Sequence, residues 1–270
     1  TSGLICAVGA LNLKPGDEVI LPTWTMSACA MSILNWNAIP VFVDIEKDTF
    51  NIDPNLIEKK ISKKTKAILA VDIFGHPANY KSIFSIAKKY NLKVISDSAQ
   101  SIGAKYNNKF SGTFADIGGF SLNCHKHINT GEGGILITNN DKYAERLRLI
   151  RNHAEAVVSE NINNYTPNMI GHNFRLGELE SAIGIQQFKK LKSKVRRRQQ
   201  IANLLTKDLK KLKGIETPVI KKNCTHAFYI YAIKINEKKI GVKKDIIFKA
   251  LKAEGIENIL DKYFNLHLLP

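Results

Sequence analysis

Apolar residues along this chain fall into short runs separated by stretches with helical spacing. Runs at Glu18–Leu21, Pro40–Asp44, Ala67–Ile73, Lys93–Ser96, Ile117–Ser121 and Gly134–Thr138 predict six strands. Between them, three segments read as helices. Asn55–Ile61 follows the start signal Asp53-Pro54. Tyr80–Tyr90 sets Ile83, Phe84, Ile86 and Ala87 at helical spacing, and Asp141–Ile150 does the same with Tyr143, Ala144, Leu147 and Ile150. A further helical run covers Leu4–Leu11. Strands alternating with helices predict an α/β fold with a mostly parallel sheet covered on both faces.

From about Gly177 the pattern changes. A long helical run passes through Leu179, Ile183, Phe188, Leu191 and Val195 towards Leu205. It is too long and too basic for a packed crossover helix, and predicts a connection into a second, smaller α+β unit. That unit shows one strand, Ala227–Ile235, and one helix, Lys243–Glu254, closed by Gly255. The expected division is a large domain over residues 1–190, followed by the connecting helix and part of a C-terminal domain over 191–270.

Composition narrows the class. Of 270 residues, 44% are hydrophobic and 24% charged, enough apolar material for a sizeable core. No apolar run approaches the roughly 20 residues of a membrane helix, so no membrane partner is expected. No signal peptide opens the chain. The net charge of +16 fits nucleic acid, a membrane surface or an anionic substrate. The lysines are scattered on polar helix faces rather than grouped around aromatics, which speaks against nucleic acid. The densest run, Lys189–Arg198, reads as a solvated helix face, with an anion-attracting patch as the alternative. Cys6, Cys29, Cys124 and Cys224 form no CxxC pair and match no zinc spacing, so free thiols in a reducing cytoplasm are expected. The chain opens on Thr1-Ser2-Gly3 and closes on Leu268-Leu269-Pro270, which reads as an internal piece of a longer protein.

Candidate chemistry lies after the strands, because ligands of open α/β sheets sit at the carboxyl ends of strands. Asp97 follows Val94-Ile95-Ser96 and precedes the small residues Ser98-Ala99-Gln100-Ser101. It is either a site acid or a helix cap. Lys126 stands between His125 and His127 in a loop that runs on to Gly131-Glu132-Gly133-Gly134. A lysine desolvated in such a loop has the depressed pKa that a Schiff-base lysine needs, whereas an exposed loop lysine has no such role. Thr1-Ser2-Gly3 opens a helical run and offers hydroxyls and bare amides to an anion, or is an ordinary cap.

Taken together, the motifs resemble the DegT/DnrJ/EryC1/StrS sugar aminotransferases, a family of fold-type-I pyridoxal-5'-phosphate (PLP) enzymes. The likeness rests on Lys14-Pro15-Gly16-Asp17-Glu18-Val19-Ile20, Pro40-Val41-Phe42-Val43-Asp44, Asp97-Ser98-Ala99-Gln100, Phe120-Ser121 with Lys126, Thr130-Gly131-Glu132-Gly133-Gly134, and Gly171-His172-Asn173-Phe174-Arg175, in this order. The resemblance implies a transaminase that moves an amino group from an amino acid, glutamate above all, to a keto-sugar carried on a nucleotide. It implies Lys126 as the Schiff-base lysine and proton shuttle, Asp97 as partner of the pyridine nitrogen, and Gln100 beside the ring's phenolic oxygen. Thr1, Ser2 and Ser121 would hold the phosphate. Asn173 would reach the phosphate of a neighbouring subunit, which implies a homodimer with shared sites. The family's ring-stacking aromatic is replaced here by Met26, with Trp24 two residues earlier. Asp72 stands where many relatives carry histidine. His125 and His127 are expected to pack or face solvent, and His76, His153, His172 and His226 are given no role. Two other readings stay open at this level: a PLP-dependent dehydratase or other chemistry on the same fold, and a non-catalytic, nucleic-acid-binding relative. The lysine at position 126, where the dehydratases carry histidine, speaks against the first.

Overall fold

The computed structural model describes residues 1–155, 169–260, 263 and 265–268; the closing Leu269-Pro270 lies outside them. In chain order the elements are α1 (Ser2–Ala10), β1 (Glu18–Pro22), α2 (Ala28–Leu34), β2 (Ile39–Val43), α3 (Pro54–Ile57), β3 (Thr65–Val71), α4 (Tyr80–Tyr90), β4 (Lys93–Asp97), β5 (Lys105–Tyr106), β6 (Lys109–Phe110), β7 (Ile117–Ser121), β8 (Gly134–Ile137), α5 (Asp141–Arg151), α6 (Glu178–Leu209), β9 (Ile215–Glu216), β10 (Lys234–Ile235), α7 (Glu237–Ile240) and α8 (Lys244–Ala253).

The apolar run Ala67–Val71 is buried throughout, which is what a strand covered on both faces requires. It sits near the middle of a six-stranded sheet of order β2-β1-β3-β4-β7-β8, parallel except for the antiparallel pair β7–β8. One apolar cluster fills the face covered by α1, α2 and α5, through Val8, Cys29, Ile33, Leu69, Ile95 and Ile150. The other lies under α3 and α4, through Ile57, Ile68, Ile83, Ile86 and Val94. Helix α4 starts where the Asn79 side chain accepts from the Ser82 amide and ends at Asn91, which is left-handed at φ 52°. Helix α5 is capped in the same way, Asn140 accepting from the Tyr143 amide. At Gly118 in β7, a Cβ would stand 1.9 Å from the Gly112 carbonyl oxygen, so only glycine lets the 111–113 loop lie flat on this strand.

The expected architecture is present, with four local corrections. Asp72 and Ile73 leave the third strand, because the Ile73 amide turns to the Asn51 side chain and Phe74 takes φ 57°. The helix expected over 55–61 is a single α-turn that tightens into 3-10 geometry at Glu58–Lys60. Helix α2 and the hairpin β5–β6 were not anticipated. The strand expected over 227–235 is paired only at Lys234–Ile235, against β9. Upstream, Phe228 has φ 51°, and the backbone groups bond sideways to loops and to α6, as set out below. The long helix is confirmed as α6 and runs on to Leu209. No helix among the described residues is long and apolar enough to cross a membrane.

Candidate active site

The carboxyl ends of β4 and β7 face the same edge of the sheet, and the segments that follow them build the site. Asp97 ends β4 and is buried. Its Oδ1 accepts the Ala99 amide at 3.0 Å and its Oδ2 accepts the Cys29 thiol at 3.3 Å. Cys29 comes from α2 and also meets Thr25 Oγ1 at 3.4 Å. Burial pushes the Cys29 thiol well up, and the Asp97 charge beside it pushes the same way, so the sulfur stays protonated and donates.

Lys126 sits in the loop after β7, its amide bonded to the Asn123 carbonyl at 2.9 Å. Burial lowers the pKa of its amine, while the charge of Asp97 opposes that shift. Lys126 and Asp97 are therefore within electrostatic reach of each other. The Lys126 ammonium also lies over the face of Tyr229, 4.3 Å from the ring centre. Ser121 closes β7, and its hydroxyl accepts the Asn123 amide at 3.2 Å.

Gln100 is buried, and its Oε1 accepts the Phe74 amide at 2.7 Å. Its side chain also lies near the Tyr263 hydroxyl, whose pKa burial raises to about 12. Thr1 and Ser2 are exposed at the start of α1, and the Thr1 hydroxyl makes no capping bond. Helix α1 packs on β7 and β8. Met26 is 60% exposed. Trp24 is enclosed edge-on by Phe50, Phe74 and Tyr263, with ring centres 5.0, 5.7 and 5.8 Å away. Asn173 is exposed and pairs through its backbone with Asn152; among the described residues no bond joins it to Lys126, Asp97 or Gln100. The single chain thus brings Lys126, Asp97 and Gln100 together at one edge of the sheet and leaves Asn173 outside that group.

Several further residues complete this region, and most take roles that the chain's local pattern does not show. Asp72, directly after β3, is fully buried. Its carboxylate accepts from the Ala78 amide, the Tyr80 hydroxyl and the hydroxyls of Ser98, Ser101 and Ser111. Ser98 and Ser101 flank Gln100, so this one carboxylate ties the turn after Asp97 to β3. The signal was there in the serines clustered around positions 96–111. His125 is exposed, while His127 is buried with Nε2 donating to the Ala227 carbonyl at 2.9 Å. Cys29, Tyr229 and Tyr263 come from distant segments and could be found only once the chain was folded.

A desolvated primary amine, a buried carboxylate on the next strand and hydroxyls at the start of a helix form a donor set that suits pyridoxal phosphate: an aldehyde, a pyridine nitrogen and a phosphate dianion. Comparison with known proteins agrees. The whole of residues 1–270 matches the DegT/DnrJ/EryC1/StrS aminotransferase family. GDP-perosamine synthase of Caulobacter vibrioides is 33% identical over 271 residues, covering 100% of this chain and 71% of the relative. The crystal structure of DesV from S. venezuelae, in complex with a ketimine intermediate, superposes with a TM-score of 0.90 at 30% identity, over 99% of this chain and 69% of that one. A GDP-4-keto-6-deoxy-D-mannose-3-dehydratase from E. coli, with bound hydrated PLP, superposes at 0.84 and 28% identity, over 94% and 69%.

Proposed function

We infer the function of this chain from its place in the DegT/DnrJ/EryC1/StrS aminotransferase family, to which it belongs: it is a PLP-dependent sugar aminotransferase of amino-sugar biosynthesis. The finer reading is our proposal. The donor is an amino acid, glutamate first, and the acceptor is a keto-sugar linked to a nucleotide, whose diphosphate suits a chain of net charge +16. The enzyme works in the cytoplasm, in keeping with four free cysteines.

When bound, the cofactor supplies an electron sink for the charge left when a proton leaves the amino-bearing carbon. The chain's own residues do the rest. Lys126 tethers the cofactor. Once released, its Nζ would take the proton from the amino-bearing carbon as base and give it back as acid. Burial helps by favouring the neutral amine. Asp97, fixed by Ala99 and Cys29, keeps the pyridine nitrogen protonated. Thr1, Ser2 and Ser121 hold the phosphate. Gln100 would lie beside the phenolic oxygen of the bound cofactor. The flexible thioether of Met26 would cover the ring face where relatives stack an aromatic. Asn173 serves the site of a second subunit in a homodimer.

The observation that supports this reading most is the pairing of a desolvated Lys126 amine with a buried Asp97 on neighbouring strand ends. Absorbance spectra of the protein with PLP, before and after glutamate, test it beside Lys126→Ala. The wild type is expected to show a cofactor band that glutamate bleaches, and the variant no borohydride-reducible link. A wild type that binds no PLP overturns the cofactor assignment. Binding without response to any amino donor, together with loss of water from a keto-sugar, would make the chain a dehydratase.

A further inference from the structure

The segment 226–230 does not behave as a strand of a separate unit. It is strapped across the sheet edge that carries Lys126. The Ala227 amide donates to the Gly75 carbonyl at 2.9 Å and the Ile230 amide to the Phe74 carbonyl at 3.3 Å. The Ala227 carbonyl accepts from His127 Nε2 at 2.9 Å. The carbonyls of Phe228 and Tyr229 both accept from the Arg198 guanidinium of α6, at 3.0 and 3.2 Å. Gly75, at φ 106°, makes this docking close: a Cβ there would stand 2.9 Å from the Phe228 nitrogen. Tyr229 is therefore held from both sides by its own backbone, and its ring meets Lys126.

We propose that Tyr229 is a positioning residue for Lys126, its ring face holding the ammonium form of that side chain at the site. This rests on the reading of Lys126 as the cofactor lysine. The physical need is plain. Lys126 is a flexible four-carbon chain taken largely out of water, and among the described residues its Nζ has no hydrogen bond and no carboxylate within 4 Å. Asp97 attracts it only at longer range. The electron-rich ring face of Tyr229 lies against the cation, 4.3 Å from ring centre to Nζ. While the lysine is free of the cofactor and carries its proton, the ring keeps Nζ where the proton must next go. The groups that act on Lys126 from the packed elements are Asp97 of β4 and Cys29 of α2; His127 from its own loop, with Arg198 and Lys194 of α6 behind it, completes the surroundings. The proton itself stays within the established chemistry, and Tyr229 neither gives nor takes it.

The test reads the titration of Lys126 in the cofactor-free protein, as the pH dependence of its acetylation followed by peptide mass spectrometry. Wild type is compared with Tyr229→Phe, Tyr229→Leu and a series with progressively fluorinated phenylalanine at 229, which keeps ring shape while removing the negative face. We expect Tyr229→Phe to stay near wild type. The midpoint should fall by about half a unit to one unit in Tyr229→Leu and stepwise along the fluorinated series. The fluorinated ring has the size of the natural one, so the series stands if the leucine variant does not fold. An unchanged midpoint across the series overturns the proposal, as does a Phe variant shifted as far as Leu, which would assign the effect to the hydroxyl. Protection of Lys126 from acetylation by pyridoxal phosphate is read in parallel. Without that protection the cofactor reading falls, and the role given to Tyr229 falls with it, even if the ring–ammonium pair stands.

Discussion

His226 opens the strap and His76 and His127 sit against it, and burial keeps all three neutral. Desolvation pushes His127 down to about 4 and His226 down to about 3 from an ordinary 6.5, and the positive charges of Arg198, Lys126 and Lys194 add to the effect at His127. Their bonds agree with neutral rings. His76 Nδ1 donates to the Pro77 carbonyl while its Nε2 accepts the Lys221 amide, and His226 Nδ1 accepts the Phe228 amide. The unfolded chain therefore binds more protons than the folded one between pH 6.5 and about 3. The stability these histidines contribute is complete above pH 6.5 and is lost as the pH falls through that window. At about 1.4 kcal/mol per unit, the two deeply shifted rings each account for a loss on the order of 3–5 kcal/mol once the whole window is crossed. Urea midpoints measured from pH 7.5 to 4 should fall accordingly, and His127→Gln should flatten part of the slope. An equal slope in the variant would show that other groups titrate there.

The strap itself is the element on which the site depends most. Gly75→Ala places a Cβ against the Phe228 and Tyr229 amides and asks a non-glycine residue to hold φ 106°. We expect a loss of about 1–3 kcal/mol from backbone strain alone. Faster hydrogen exchange should appear at the Ala227 and Ile230 amides while the β3 and β4 amides stay protected. Uniform exchange across the molecule would mean that the strap opens only with the whole fold. This element also marks the limit of what the sequence could reveal. Strands β3 and β4 were legible because runs such as Ala67-Ile68-Leu69-Ala70-Val71 bury both faces and have no other use. Asp97 and Lys126 were legible because an acid and a lysine directly after such runs answer no packing need. Helix α2 was not, since Ala28-Cys29-Ala30-Met31-Ser32-Ile33-Leu34 has no charged face to set a period. Residues 227–233 looked like a strand because their apolar spacing resembles one. What makes them a strap is the set of partners, Gly75, Phe74, His127 and Arg198, which come from three distant segments. Part of the basic run 189–198 was likewise misjudged, since Arg198 turns inward to hold the strap.

At the scale of the molecule, the first turns of α6 present Leu179, Ile183, Ile185 and Phe188 outward, Leu179 with 79% of its surface exposed. Such a row of large apolar side chains fits the homodimer proposed above, in which Asn173, a few residues earlier, would serve the second site. Replacing Leu179 and Phe188 together by Glu should convert a dimer into a monomer in analytical ultracentrifugation and remove most of the transaminase activity. A wild type that sediments as a monomer at every concentration would sink the proposal. We also propose the division near residue 190, but with a qualification that the strap imposes. Residues 226–230 belong by position to the C-terminal unit, yet they dock on the loop after β3 and on Lys126 itself.

That docking has a consequence for how the protein is made. The strands of the sheet come from one continuous stretch of chain, so they can pair as they leave the ribosome. Tyr229 lies 103 residues after Lys126 (229 − 126). At about 5–20 residues per second, the lysine waits roughly 5–20 s for its ring partner to be synthesised. During that interval the nascent chain can hold its sheet and the apolar layer under α3 and α4, while the other layer still lacks Leu266 and the pocket is unfinished. Maturation of the site is therefore a late event of translation, and a stalled or truncated product ending before residue 226 would carry the reactive lysine without the aromatic face that steadies it.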